Sequence, residues 1–272
     1  MRSGRTEKLP YSLSRWTDLP AAKWPWFEAM LDQGWMVGID PRTGVPGRWS
    51  LTPEDTFGLI FWTRNSRNLI ANAERLKKYP LAVHFTLTGW HEVEKGAPNI
   101  ADGLAMLRDT VQTFGAQNVT WRFSPVPMVH DILDRFEALA IQAAKFGLEE
   151  VFVSFLQEND LLPETRSPRV RGEILRQLGA RSHGLRVLLC NEDQTLDVHG
   201  SNVARGICES GKRFTNSNYQ VDGPKTEGCG CALAVDPFTI NETCSMGCRY
   251  CYAADRSLSP KKRNTSRLRV VS

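Results

Sequence analysis

The sequence predicts an α/β fold built from six repeated strand–helix units, and two observations lead to this prediction. Short apolar runs alternate with amphipathic stretches throughout the first 190 residues, which is typical of repeated βα units. Residues 57–63 are almost continuously apolar, as a parallel strand buried on both faces is. We therefore expect an open or partial parallel (β/α)6 barrel. A doubly wound sheet is the alternative, because strand order cannot be read from the sequence.

The individual elements follow from local periodicity and from turn residues. Short apolar runs predict strands at residues 11–13, 57–63, 81–87, 119–123, 150–156 and 185–189. Apolar residues at helical spacing predict helices at residues 20–33, 66–78, 101–114, 131–146 and 170–179. Residues 36–51 contain several Gly and Pro residues, so we expect a turn-rich segment there.

Composition is that of a soluble globular protein. Of the 272 residues, 41% are apolar and 24% are charged, and both values are ordinary. No apolar run approaches the ~18 residues of a membrane helix, and the N-terminal ten residues lack the apolar stretch of a secretory signal. We expect a cytoplasmic protein without membrane contacts. Its predicted parts are a partial barrel (1–190), a cysteine-rich cap (191–254) and a basic flexible tail (255–272).

The seven cysteines are confined to one short part of the chain. None occurs in the first 189 residues, and the following 62 contain Cys190, Cys208, Cys229, Cys231, Cys244, Cys248 and Cys251. Clustered thiols in a cytoplasmic protein are typical of metal sites or catalytic groups rather than of disulfides. Beyond Cys190 the apolar periodicity also stops. This region is therefore predicted to owe its shape to bound metal rather than to a core.

The spacing of the last three cysteines predicts an iron–sulfur cluster. Cys244, Cys248 and Cys251 form a C-x-x-x-C-x-x-C motif. Three thiolates this close can hold three corners of a [4Fe–4S] cubane, which leaves the fourth iron open to a small molecule. Gly247 allows a tight turn around such a cluster. Structural zinc is the alternative, because zinc favours paired cysteines and four ligands.

The remaining thiols predict a second metal centre. Cys208, Cys229 and Cys231 are assigned to an auxiliary [4Fe–4S] cluster, with zinc as the alternative. In the zinc alternative for the last three cysteines, Cys229 and Cys231 would complete a four-thiolate site with Cys248 and Cys251. Cys190 ends an apolar strand and fits the core as well as it fits a metal site.

Polar residues at the ends of the predicted strands are candidate site residues, because active sites of α/β barrels form at the carboxyl ends of strands. Arginines at these ends can bind carboxylate or phosphate groups. The alternative role is structural, and Asp18 is placed as a helix N-cap just before Pro20. The catalytic candidates are Arg15, Asp18, Asn65 and Arg122. The strand-end candidates for holding a cofactor are Arg64 and Ser154, and Gly247 of the cysteine motif is a further candidate.

The formal net charge of +4 is modest, and much of it lies in the tail after Asp255. The basic residues there are Arg256, Lys261, Lys262, Arg263, Arg267 and Arg269. Such a run is either a solvated terminus or an arm that binds nucleic acid phosphates.

The cysteine motif resembles that of the radical S-adenosylmethionine (radical SAM) superfamily, including Tyr250 before the last cysteine. In that superfamily the motif follows the first strand, whereas here it lies near the C-terminus. The chain is more similar to a bacterial and phage family that carries a radical-SAM-like cysteine cluster at its C-terminal end. The resemblance covers residues 12–254. It rests on Ser14-Arg-Trp-Thr-Asp18-Leu-Pro20, Phe61-Trp-Thr-Arg-Asn65, Trp121-Arg122-Phe-Ser-Pro125, Ser154-Phe155, Cys229-Gly-Cys231 and residues 244–253.

The chain departs from this family's pattern at Trp16, Ser124 and Met246, and the stretch after Asp236 matches it only loosely. The resemblance implies that S-adenosylmethionine (SAM) binds the open iron, with Tyr250 near its adenine. An external flavodoxin- or ferredoxin-type donor then supplies one electron. The resulting 5′-deoxyadenosyl radical abstracts a hydrogen from the substrate.

The substrate is not identified by the sequence. The basic balance and the strand-end arginines favour an anionic one, with a nucleoside or DNA base as one option. A rival from another functional class is a zinc- or Fe–S-binding module that contacts nucleic acid without SAM chemistry.

Overall fold

The computed structural model describes residues 9–40, 43–126, 130–155, 167–190, 202–207, 234–238 and 244–251. Within these residues the strands β1 to β9 are Tyr11–Leu13, Trp35–Ile39, Pro46–Ser50, Leu59–Thr63, Leu81–Thr86, Val119–Phe123, Glu150–Val153, Arg186–Leu189 and Val203–Arg205. The helices α1 to α7 are Leu19–Ala22, Trp24–Gln33, Arg67–Ala71, Ala73–Leu76, Ile100–Phe114, Ile132–Lys145 and Pro168–Ala180.

Seven strands form one parallel sheet in the order β1-β4-β5-β6-β7-β8-β9. Neighbouring strands follow one another along the chain, so the order never reverses. A doubly wound sheet requires a reversal, and this order excludes it. The predicted α/β fold with a parallel sheet is confirmed.

The predicted number of strands was wrong, because β9 adds a seventh. It lies within the region assigned to the cysteine-rich cap. Only three residues long, with Val203 alone fully buried, it is too short to produce a periodic pattern.

Three predicted elements differ from the structure in more than the position of their ends. The helix expected at 20–33 is divided at Lys23 into α1 and α2, because Pro25 has no N–H to donate to the Ala21 carbonyl and its ring would clash with that carbonyl in a continuous helix. The helix expected at 66–78 is divided at Asn72 into α3 and α4. Residues 36–51, expected to be rich in turns, contain the antiparallel hairpin of β2 and β3.

The two faces of the sheet differ in polarity. Side chains alternate between faces along each strand. One face packs on the helices and is apolar, with Phe61, Val83, Phe85, Trp121, Phe123 and Val151 each at most 1% exposed. The opposite face, here called the polar face, is mixed and carries both polar and apolar side chains: Ser12, Ile60, Trp62, Ala82, His84, Thr120, Arg122, Phe152, Leu188 and Cys190.

The segment before the cysteine motif returns to the first strand of the sheet. Val235 pairs in parallel with Tyr11 at the edge of β1 that does not contact β4. The Ser12 amide donates to the Val235 carbonyl at 2.8 Å, and the Val235 amide donates to the Pro10 carbonyl at 2.9 Å. This pairing brings the C-terminal part of the chain beside the N-terminal strand. In the described part of the chain, no helix has the length and apolar character needed to cross a membrane.

Candidate metal centre

The cysteine loop, residues 244–251, packs against residues that follow β1 and β5. The Asp18 amide donates to the Cys244 Sγ at 3.4 Å. Glu94 and Cys248 form an antiparallel bridge, and the Arg249 amide donates to the Val93 carbonyl at 2.9 Å. The loop therefore lies at the carboxyl ends of the parallel strands, although it comes from the other end of the chain.

Two glycines make this arrangement sterically feasible. A Cβ on Gly96 would lie 2.7 Å from the Met246 carbonyl oxygen and 2.8 Å from that of Ser245, so a larger residue would displace the loop. The Gly96 amide donates to the same Met246 carbonyl at 2.9 Å. Gly247 has φ +58°, a left-handed conformation that favours glycine. This agrees with the turn expected there.

A buried ion pair lies beneath the cysteine loop. Arg64 Nη1 is 3.0 Å from Glu94 Oε2, and the two side chains are 11% and 2% exposed. Arg64 also donates to the Tyr250 hydroxyl, which in turn donates to Glu94. Thr88 Oγ1 donates to Glu94 Oε2 at 2.7 Å. We call Arg64, Glu94 and Tyr250 the buried triad, because they connect two strand ends to the loop.

The ring of Tyr250 packs on Trp90, with ring centroids 5.7 Å apart and an interplanar angle of 17°. Burial raises the pKa of the Tyr250 phenol well above its ordinary value, Arg64 opposes the rise, and Glu94 adds to it. The phenol is therefore neutral and can donate its proton to Glu94. In this structure Tyr250 attaches the loop to the sheet, and its expected contact with adenine stays a prediction.

The charges around Cys248 determine whether its thiol is protonated. Burial raises its pKa to about 11, Arg64 lowers it, and Glu94, Cys251 and Cys244 raise it further. Burial also disfavours the charge of Arg64, but its anionic neighbours outweigh burial and raise the guanidinium pKa. A metal removes the proton from a coordinating thiol. Arg64 is then the nearby cation that offsets the thiolate charge.

The donor set matches the chemistry of an iron–sulfur cluster. Three thiols lie on one loop, and two of them are near enough to affect the pKa of the third. Such soft sulfur ligands suit iron–sulfur clusters. In the described ranges, no group of three or more His, Cys, Asp or Glu side chains is positioned to hold a metal ion. Cys208, Cys229 and Cys231 lie outside the described residues, so the second centre stays a prediction.

Asp18 is buried and caps a helix, as the sequence predicted. Its carboxylate accepts hydrogen bonds from the Ala21 amide at 3.1 Å, the Thr63 hydroxyl at 2.7 Å and the Arg64 amide at 2.7 Å. Burial raises the Asp18 pKa to about 6, although these hydrogen bonds and the Arg64 charge lower it. Asp18 thus fixes the ends of β1 and β4 next to Cys244.

The other candidate residues are spread over the strand ends. Arg15 is exposed, and its amide donates to Asp236 at 2.9 Å. Asn65 accepts from the Arg67 amide at 3.2 Å before α3. Ser154 is hydrogen-bonded to Ser124 at the ends of β7 and β6. Arg122 lies on the polar face. Among the candidates, Asp18, Arg64 and Tyr250 make contacts that join the cysteine loop to the strand ends, and Gly247 lies within the loop.

A family model described as a domain of unknown function (DUF1848) matches residues 11–253. The chain belongs to the DUF1848 family. The DUF1848 match begins at β1 and extends past Cys251, so it includes the cysteine loop and the buried triad. No curated protein matches the chain, and no solved structure does.

The segment of this DUF1848 chain that precedes the cysteine loop is fixed by Asp236, whose role the sequence did not reveal. Its carboxylate accepts from the Ser14 hydroxyl at 2.6 Å, the Arg15 amide at 2.9 Å and the Phe238 amide at 3.0 Å. Asp236 is 5% exposed. Burial raises its pKa above the ordinary value, although these hydrogen bonds and the charge of Arg15 lower it.

The raised pKa of Asp236 predicts a pH-dependent contribution to stability. Between its unfolded pKa, about 4, and its folded value, the native state binds the proton more strongly than the unfolded chain does. The Asp236 contribution to stability therefore falls as pH rises through this window. The Asp236→Asn variant has no ionisable group at this position, so it should lack this part of the pH dependence of the unfolding free energy. Urea unfolding of wild type and variant between about pH 4 and pH 7 measures this difference. Plots of unfolding free energy against pH that run parallel for the two proteins would contradict the role given to Asp236.

Proposed function

We propose that this protein is a radical SAM enzyme in which Cys244, Cys248 and Cys251 hold a [4Fe–4S] cluster. The observation that carries the proposal is the attachment of the C-x-x-x-C-x-x-C loop, through the buried triad, to the carboxyl ends of a parallel sheet. When bound, such a cluster with SAM on its fourth iron supplies one-electron cleavage of the sulfonium and a carbon radical for hydrogen abstraction.

The chain's own residues hold this site in place and balance its charge. The three thiolates bring negative charge to a buried position, and Arg64 offsets it at the loop. Glu94 and Tyr250 fix the orientation of Arg64. The Asp18 amide donates to Cys244, and hydrogen bonds to cluster sulfurs are among the factors that set reduction potentials.

A partial barrel of the radical SAM type is part of the same proposal. The unidirectional strand order supports it, as does the return of Val235 to the free edge of β1. In such a barrel, ligands bind at the carboxyl ends of the strands. The substrate, the flavodoxin- or ferredoxin-type donor and the cytoplasmic location belong to the proposal as well.

Metal analysis of anaerobically purified protein tests the proposal. We expect about four iron and four labile sulfide ions for each loaded site. The electron paramagnetic resonance spectrum of the dithionite-reduced protein should change when SAM is added. Stoichiometric zinc without labile sulfide would contradict the proposal and favour the structural zinc alternative. An unchanged spectrum from a loaded cluster would contradict the SAM site.

A further inference from the structure

Four side chains on the polar face pack into one cluster: Trp62, His84, Arg122 and Phe152. His84 is stacked on Trp62, with ring centroids 4.2 Å apart and an interplanar angle of 14°. The His84 and Phe152 rings form a T-shaped pair with centroids 6.2 Å apart. The Arg122 guanidinium carbon is 5.0 Å from the Trp62 centroid and 5.7 Å from that of Phe152. We call these four residues the polar-face cluster.

Three of the four side chains are buried, Trp62 is half-buried, and the sheet holds all four in register. His84 is fully buried, and Phe152 and Arg122 are 1% and 9% exposed. Trp62 lies directly opposite His84 in adjacent strands, and Arg122 lies opposite Phe152. The Trp62 indole N–H donates to the Ser12 hydroxyl at 2.9 Å. The Trp62 ring, which both His84 and Arg122 contact, is therefore anchored to β1 as well.

Arg122 differs from the other two strand-end arginines named by the sequence. The charge of Arg64 is paired with Glu94 beneath the cysteine loop. Arg15 is exposed, and its amide donates to the Asp236 carboxylate at 2.9 Å. The guanidinium of Arg122 lies within the sheet and against two aromatic rings. Of the three, Arg122 is therefore the one whose charge lies on the polar face.

The geometry of the cluster suits recognition of an oxyanion. A guanidinium carries paired N–H donors in one plane, which match the two oxygens of a carboxylate or phosphate. Ser124 follows β6 directly and is hydrogen-bonded to Ser154, which follows β7 directly. A ligand at Arg122 thus lies near the carboxyl ends of the strands, where α/β folds bind their substrates.

We infer that the polar-face cluster binds the carboxylate or phosphate group of the substrate. Arg122 supplies the charge and the paired donors, His84 supplies a second polar group, and Trp62 holds both in place. The inference deepens the proposed function and rests on it, because it assigns the substrate's anionic group to the same reaction.

Titration of the anaerobically reconstituted full-length protein with inorganic phosphate and, separately, with malonate tests this inference. Because the open fourth iron of a cluster can itself bind a carboxylate or phosphate, only the part of the binding that is lost in Arg122→Gln with an equal iron content is assigned to Arg122. We expect saturable binding of at least one anion, and the tighter one identifies the group. Arg122→Gln should weaken this binding about ten-fold or more, since a hydrogen bond to a charged group contributes about that much.

Arg176→Gln is the matched control, because it removes the same charge from an exposed pair on α7, and it should bind as wild type does. In wild type, the Trp62 indole N–H signal, assigned with Trp62→Phe, should shift as anion is added. This readout does not depend on the folding of Arg122→Gln. Wild type without saturable binding, equal binding by Arg122→Gln, or an unshifted Trp62 signal would overturn the inference. None of these outcomes bears on iron content or SAM cleavage, which test the proposed function separately.

Discussion

Replacing Glu94 with glutamine is expected to destabilise the protein by about 3–5 kcal/mol. The substitution removes the charge that neutralises Arg64, and both side chains are almost fully buried. It also weakens the acceptor for the Tyr250 hydroxyl. A loss of this size is a large part of the about 5–15 kcal/mol that stabilises a typical domain. Urea unfolding at neutral pH measures it, and the cysteine loop should lose bound iron in parallel.

Glu92→Gln is the control for this prediction, because Glu92 is an exposed carboxylate two residues earlier in the same turn. We expect a change within about 0.5 kcal/mol for this surface substitution. Replacing Arg64 and Glu94 together with methionine should be less harmful than Glu94→Gln alone, since no buried charge is then left without its partner. Equal unfolding free energies for Glu94→Gln and Glu92→Gln would refute a structural role for the buried triad.

Cys248→Ser is expected to abolish cluster binding at the cysteine loop and, with it, SAM cleavage. Cys248 is the most buried of the three thiols and the one beside Arg64 and Glu94. A serine hydroxyl keeps the size but does not provide the thiolate that iron–sulfur clusters require. After anaerobic reconstitution, iron and labile sulfide should fall by one cluster per chain, and 5′-deoxyadenosine should fall to background.

Cys190→Ala is the matched cysteine variant for this experiment. Cys190 is also buried, but it packs with Phe152 and Leu188 on the polar face rather than on the loop. Its loss should leave the iron and sulfide content unchanged. If Cys248→Ser bound as much iron and sulfide as Cys190→Ala, the three-cysteine assignment would be wrong.

Most of the sheet was predictable because parallel strands leave a strong signal in sequence. The strand Val119–Phe123 was predicted with the bounds it has in the structure, since all its residues are buried and turn residues flank it. The short strand β9 and the break at Lys23 were missed for physical reasons. Three residues give no periodicity, and a helix that restarts at a proline keeps the same apolar spacing.

The candidate site was predictable only where local patterns reveal it. The motif spacing identified Cys244, Cys248 and Cys251, and strand ends identified Asp18 and Arg64. Glu94 and Asp236 were missed because their partners are distant along the chain. Glu94 binds a hydroxyl 156 residues away, and Asp236 binds one 222 residues away. Neither residue lies in a distinctive local pattern. The one nearby signal is Gly96, two residues after Glu94, which allows the cysteine loop to approach closely.

The central claim is that the cysteine loop holds a cluster that cleaves SAM. The most direct test mixes the anaerobically reconstituted protein with dithionite and SAM and quantifies 5′-deoxyadenosine against the Cys248→Ser variant. We expect 5′-deoxyadenosine from wild type and only background from the variant. A wild-type protein with a full complement of iron and sulfide that forms no 5′-deoxyadenosine would contradict the claim.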